Sequence, residues 1–160
     1  GLGDVYKRQL VNTSNQKIYL FKSNKLIFES PISSSLYGLG CQINSNKTPT
    51  GLHIVASMIG KELPAGTLFK NRVPTSKIIN NIPRDNHDYI TSRIIRLSGL
   101  EDGFNKGGNV DTFDRYIYIH GTPHVDKIGN PESHGCIRMS DKNVITLYDL
   151  IEHKELVLID

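Results

Sequence analysis

At 160 residues the chain is long enough to bury an ordinary core as a single domain, without disulfide staples. Its 38% hydrophobic and 22% charged residues are those of a soluble globular protein, and no apolar run is long enough to span a bilayer. A net charge of +3 gives no argument for nucleic acid and only a faint preference for a polyanionic surface such as a cell wall.

The chain opens Gly-Leu-Gly-Asp, without Met and without the apolar stretch of a signal peptide. Residues 1–9 carry no interpretable pattern and read as a segment foreign to the fold, with the domain expected over 10–160. Lys17–Phe21 is β-branched and aromatic; Ser23-Asn24-Lys25 turns the chain, and Leu26–Glu29 returns it, which predicts a hairpin. Pro31 ends that run, and Ser33–Asn46, rich in Ser, Gly and Asn, reads as loop. Thr48-Pro49-Thr50-Gly51 is turn chemistry, with Pro fixing φ and Gly free to take φ > 0. Strands follow at Leu52–Ser57 and Arg93–Leu97. The glycine-rich stretch Ser98–Arg115 is long for a loop in a compact domain, which points to a lid or substrate wall as much as to plain surface.

Tyr116–Ile119 is expected as a buried strand that delivers His120 at its end. Ser140 or Asp141 caps a helix whose apolar face is Val144, Leu147, Tyr148 and Ile151, at i, i+3, i+4 and i+7. Leu156–Ile159 closes the chain as a strand. The expected fold class is therefore mainly β, one domain, with one clear helix.

Chemistry concentrates in Ser133-His134-Gly135-Cys136-Ile137-Arg138-Met139. A cysteine works as a thiolate, so it needs a base or cation at hand. If Ser133–Ile137 is extended, His134 and Cys136 leave the same face of the backbone. Gly135 presents no side chain, and its amide and that of Cys136 are candidate oxyanion donors. His120, 16 residues before Cys136, is placed to take the thiol proton, given an acceptor on its other nitrogen.

A zinc set of His120, His124, His134 and Cys136 is the rival chemistry, although the spacing matches no common zinc pattern. His53, His87 and His153 are isolated and read as surface or loop residues. Cys41 reads as a small buried hydrophobe rather than the disulfide partner of Cys136, since that bond would silence the thiol. A papain-like protease would place its cysteine before the histidine, beside a tryptophan, and this chain has none. The Thr-Leu-x-Thr-Cys motif of sortases is also missing.

His120-Gly121-Thr122, followed by Ser133 to Met139, resembles the signature of the L,D-transpeptidase (YkuD) catalytic domain family. Thr48-Pro49-Thr50-Gly51 is similar to that family's Thr-Pro-x-Gly turn, and the likeness runs from about Leu10 to the C-terminus. The resemblance implies a β-sandwich-like domain with one or two helices packed alongside, working in the bacterial cell envelope, with no cofactor or metal. It implies Cys136 as nucleophile, His120 as base oriented by the Gly121 carbonyl, and His134 as a second imidazole. The implied partner is a peptidoglycan stem peptide, cut after its third residue and passed through a thioester to an amine. Hydrolysis by a carboxypeptidase, lipoprotein attachment, or a wall-binding domain that has lost activity are the alternatives on this fold. Many members carry Asn where this chain has Arg138, whose fork suits a stem-peptide carboxylate. Ser133 and Thr122 are expected beside Arg138 in substrate binding.

Overall fold

Period-two burial shapes the first hairpins. The structure, a computed structural model, describes residues 6–160. In β1 (Lys7–Asn12) and β2 (Lys17–Lys22) the inward positions are Gln9 and Val11, then Ile18 and Leu20. Ser23 and Asn24 both take positive φ (48 and 68), the left-handed pair that lets a tight turn follow the strand twist into β3 (Lys25–Pro31).

The other strands are β4 (Gly51–Ile59), β5 (Thr67–Lys70), β6 (Val73–Ile78), β7 (Ile90–Gly99), β8 (Tyr118–Thr122), β9 (Ile137–Ser140) and β10 (Leu156–Ile159). One sheet joins them in the order β3-β2-β1-β10-β4-β7, and β7 then pairs with both β8 and the β5–β6 hairpin. β8 and β9 run parallel, with Ile119 opposite Ile137 and His120 opposite Arg138. Just past β3, Ser33 bridges back to Arg138 of β9, so the sheet curls round on itself.

Inside the curl lie Val11, Ile18, Leu20, Val55, Ile95, Leu97, Ile119, Ile137, Met139 and Val157. The single α-helix among the described residues, α1 (Asp141–Leu150), packs against β7, β8 and β9. Ser140 caps it by accepting the Asn143 N–H at 3.2 Å, and Val144 and Leu147 are fully buried. Burial of each such side chain stabilises the fold by about 2 kcal/mol. No helix among the described residues is long and apolar enough to cross a membrane.

The mainly β expectation with one helix holds, and several details differ. Residues 1–5 of the N-terminal segment lie outside the described residues, while Lys7–Gln9 open β1 and pair with β2 and β10. The strand expected at Tyr116–Ile119 starts later, because Tyr116 takes φ 57; His120 is therefore mid-strand in β8. β5 and β6 have no counterpart in the sequence reading: β6 carries Pro74 and buries almost nothing. His53 is not a surface residue. It is fully buried, with Nδ1 3.0 Å from the Gly51 carbonyl and Nε2 2.9 Å from Thr112 Oγ1, and burial pushes its pKa down to about 4. Cys41 and Cys136 are both free thiols; Cys41 is only partly buried, its Sγ 3.8 Å from the Thr50 carbonyl.

Candidate active site

Parallel pairing of β8 and β9 decides which side chains meet. Ile119 and Ile137 face the main core, so His120 and Arg138 leave the opposite face together. Cys136, two residues before Arg138, continues that face and packs with Tyr118, Ile94 and Phe69 in a second, smaller apolar cluster. The backbone holds the sulfur on two sides: the Tyr118 N–H donates to Sγ at 3.3 Å, and the thiol donates to the Tyr116 carbonyl at 3.4 Å.

His120 is fully buried. Its Nδ1 lies 2.7 Å from the Gly121 carbonyl oxygen, and since a carbonyl only accepts, Nδ1 carries the proton. Nε2 is then the basic nitrogen, and it is buried without a partner in the protein. Gly121 has no room for a side chain, because a Cβ there would stand 2.4 Å from the Thr91 carbonyl. Burial holds the His120 imidazole below the ordinary histidine range; Asp88 and the Gly121 carbonyl pull it back up, and Arg138 pushes it down. Burial also pushes the Cys136 thiol up to about 12, against the Tyr118 N–H, which favours the thiolate. Both effects favour the uncharged forms of the pair, thiol and imidazole.

The segment before β9 is not extended. His134 to Cys136 form a bend with Gly135 at φ 128, a conformation that favours glycine. A Cβ there would also press against Ile117 and the Lys47 carbonyl at 3.3 Å. The bend turns His134 out to solvent, against the Tyr37 ring at 5.9 Å, so His134 and Cys136 do not share a face as a strand would have it.

Ser133 and Thr122 are buried, and both serve the scaffold rather than a solute. Ser133 Oγ accepts the Gly135 N–H at 3.2 Å and donates to the Cys136 carbonyl at 2.5 Å. Thr122 Oγ1 accepts the His124 N–H at 3.2 Å. Arg138 is likewise closed off: its side chain is 3% exposed and its Nη2 lies 2.9 Å from Asp88 Oδ1. Its fork is therefore not open to a stem-peptide carboxylate. His124 donates its Nε2–H to the His87 carbonyl at 3.2 Å, which occupies that nitrogen. Among the described residues no group of three or more His, Cys, Asp and Glu is placed to hold a metal.

Three residues matter that sequence reasoning passed over. Thr48, from the Thr-Pro-x-Gly turn, donates its Oγ1–H to the Gly135 carbonyl at 2.9 Å and accepts the Ser35 N–H, bracing the cysteine bend. Arg115 ends the glycine-rich loop and donates to the Lys47 carbonyl at 2.6 Å, pinning the loop as a wall. Asp88 stands in the irregular stretch before β7, where no pattern marks it. Two clefts are lined by residues that neighbour Cys136 in the fold. One of ≈250 Å³ has Asn46, Arg115, Tyr116 and His134 in its lining. The other, ≈450 Å³, is lined by Phe69, Asp88 and their neighbours.

The family model of the YkuD L,D-transpeptidase catalytic domain matches residues 7–159. A search of curated proteins finds no match. Among solved structures, an L,D-transpeptidase from Mycobacterium smegmatis is 17% identical with a TM-score of 0.61, covering 98% of this chain and 59% of its own. An Enterococcus faecium L,D-transpeptidase is 18% identical at TM-score 0.57, over 98% of this chain and 50% of its own. L,D-transpeptidase 3 from Mycobacterium tuberculosis, solved with a faropenem-derived adduct, is 15% identical at TM-score 0.59, over 96% and 60%. This chain spans half to three-fifths of the length of those proteins. The shared fold and a family match over nearly the whole chain lead to one conclusion: the chain belongs to the YkuD L,D-transpeptidase catalytic domain family.

Proposed function

We propose that this domain is a peptidoglycan L,D-transpeptidase of the cell envelope that works through a Cys136 thioester. The observation that carries the reading is the tautomer of His120. With Nδ1–H committed to the Gly121 carbonyl, Nε2 is left as a base on the face that also bears Cys136. In the first half-reaction Nε2 takes the thiol proton as sulfur attacks the carbonyl after the third stem residue. The C–N bond breaks, the departing amine takes the proton from His120, and the acyl group stays on sulfur. In the second, an amine attacks the thioester, its proton passes through His120, and the thiol is restored.

The raised thiol and lowered imidazole argue for proton transfer in step with attack, not for a stored thiolate–imidazolium pair. The Cys136 amide is the better oxyanion donor, because the Gly135 amide is engaged by Ser133 Oγ. Two clefts, one lined by Tyr116 and His134 and the other by Phe69 and Asp88, suit a reaction with two substrates. The faropenem adduct on a protein of the same fold makes a carbapenem-type lactam a sensible probe of the thiol.

The test is incubation with a tetrapeptide stem and meso-diaminopimelate, with products weighed by mass spectrometry. A new amide joining the stem's third residue to the amine, and its loss in Cys136→Ala, is the expected result. Release of the fourth residue with only a free tripeptide would assign the site to hydrolysis instead.

A further inference from the structure

Arg138 and Asp88 form an ion pair that thiol acylation leaves without a task. The guanidinium is 3% exposed, whereas a third of the Asp88 side chain (33%) is open. Asp88 Oδ1, the oxygen 2.9 Å from Arg138 Nη2, is itself buried, so the exposed part of the carboxylate is its other oxygen. Asp88 is one of the residues lining the ≈450 Å³ cleft. Two links join the cleft to the reacting groups: Phe69 lines it and packs in the cluster that holds Cys136, and Asp88 is paired with Arg138, which lies opposite His120 in the β8–β9 register. The second carboxylate of the cleft, Asp85, is already engaged by the Tyr89 hydroxyl at 2.8 Å and the His87 N–H at 3.1 Å. Lys70 and Lys77 complete the charged lining.

Resting on the transpeptidase reading above, we propose that Asp88 is the specificity residue for the acceptor, receiving its primary amine in the ≈450 Å³ cleft while buried Arg138 acts as a positioning residue. A carboxylate is the group that accepts hydrogen bonds from an amine and discriminates it from water by charge. The amine arrives as an ammonium and gives one proton to solvent. Its nitrogen, still hydrogen-bonded to Asp88, attacks the thioester carbon; the N–C bond forms and the C–S bond breaks. His120 Nε2 takes the second proton from nitrogen and returns it to the leaving sulfur. Lys70 and Lys77 favour an acceptor that carries carboxylates as well as the amine, which is the charge pattern of a stem-peptide diamino acid.

The experiment uses a tetrapeptide stem as donor and meso-diaminopimelate as acceptor, with the parent protein, Asp88→Asn and Asp88→Glu. Aminolysis and hydrolysis products are separated by mass, and the acceptor KM is measured. Asp88→Asn is expected to raise the acceptor KM about tenfold and shift products toward hydrolysis, with Asp88→Glu recovering most of the loss. A structural role would slow donor acylation and aminolysis in the same ratio, and that outcome overturns the assignment. An acceptor KM within about twofold of the parent in Asp88→Asn overturns it too. If the parent forms no acyl-enzyme at all, it is the transpeptidase reading that fails, and the role of Asp88 falls with it.

Discussion

His120 and His134 both precede Cys136 in the sequence, 16 and two residues upstream, yet they occupy opposite environments. His120 is inside a strand, fully buried, with one nitrogen tied to a backbone carbonyl. His134 is on a bend, exposed, with a tyrosine ring for its neighbour. Only the first has a tautomer fixed by a backbone carbonyl, and only the first lies in the strand that pairs with β9, into which Cys136 leads. Catalytic assignment therefore follows from the backbone around a histidine more than from its distance along the chain. His120 sits in a strand, and Cys136 on a bend that glycine permits.

Removing groups from each side sharpens the contrast. Cys136→Ala is expected to abolish acylation outright, and residual acyl transfer in that variant would place the chemistry elsewhere, with Cys41 the first thiol to examine. His120→Gln should lower the acylation rate roughly 10²–10⁴-fold, as loss of a general base does, while His134→Gln should cost about tenfold or less. Equal losses in stopped-flow acylation by a carbapenem would break the comparison.

The pH profile separates the two resting states. With His120 held below the ordinary 6.5, the neutral base predominates above that pH, and with the thiol pushed to about 12, no thiolate accumulates below pH 9.0. Acylation should therefore be flat between roughly pH 6.5 and 9, with no thiolate absorbance in the ultraviolet. A thiolate signal that titrates below pH 7 would mark a stored ion pair instead.

A third histidine extends the lesson to stability. His53 has a folded pKa of about 4 against 6.5 when unfolded, so between those values the unfolded chain binds more protons. Stability contributed by neutral His53 is present above pH 6.5 and is lost as pH falls toward 4, by roughly 3 kcal/mol in all. Urea midpoints of the parent and His53→Asn, compared at pH 7 and pH 4.5, should show a shallower acid loss in the variant. Parallel losses would contradict the burial argument. The smallest effect expected is that of Thr48→Val, which removes the Oγ1–H bond to the Gly135 carbonyl; about 1–2 kcal/mol of stability should go, with a modest drop in acylation.

Strong local patterns made much of the fold legible. The Ser140 cap with the Val144–Leu147–Tyr148 stripe, and the Ser23-Asn24 turn, each satisfy a local rule that no distant contact overrides. β6 obeys no such rule: a short strand with a proline and an exposed face takes its shape from β5 alone. His53 was misplaced because burial of a polar ring depends on Thr112, 59 residues away, to satisfy it. At the site, the types were readable and the directions were not. Gly135 permits either an extended chain or a bend, and only packing against Ile117 and Lys47 selects the bend that turns His134 outward. Arg138 carries its charge inward because Asp88, distant in sequence, meets it there.

The most direct measurement is intact-mass analysis after incubation with a carbapenem, with peptide mapping to separate Cys136 from the second free thiol, Cys41. A single adduct on Cys136 of the parent, missing from Cys136→Ala, is the expected result. No adduct while the Cys136 thiol is shown to be free, or an adduct confined to Cys41, would contradict an activated acyl-accepting cysteine at this site.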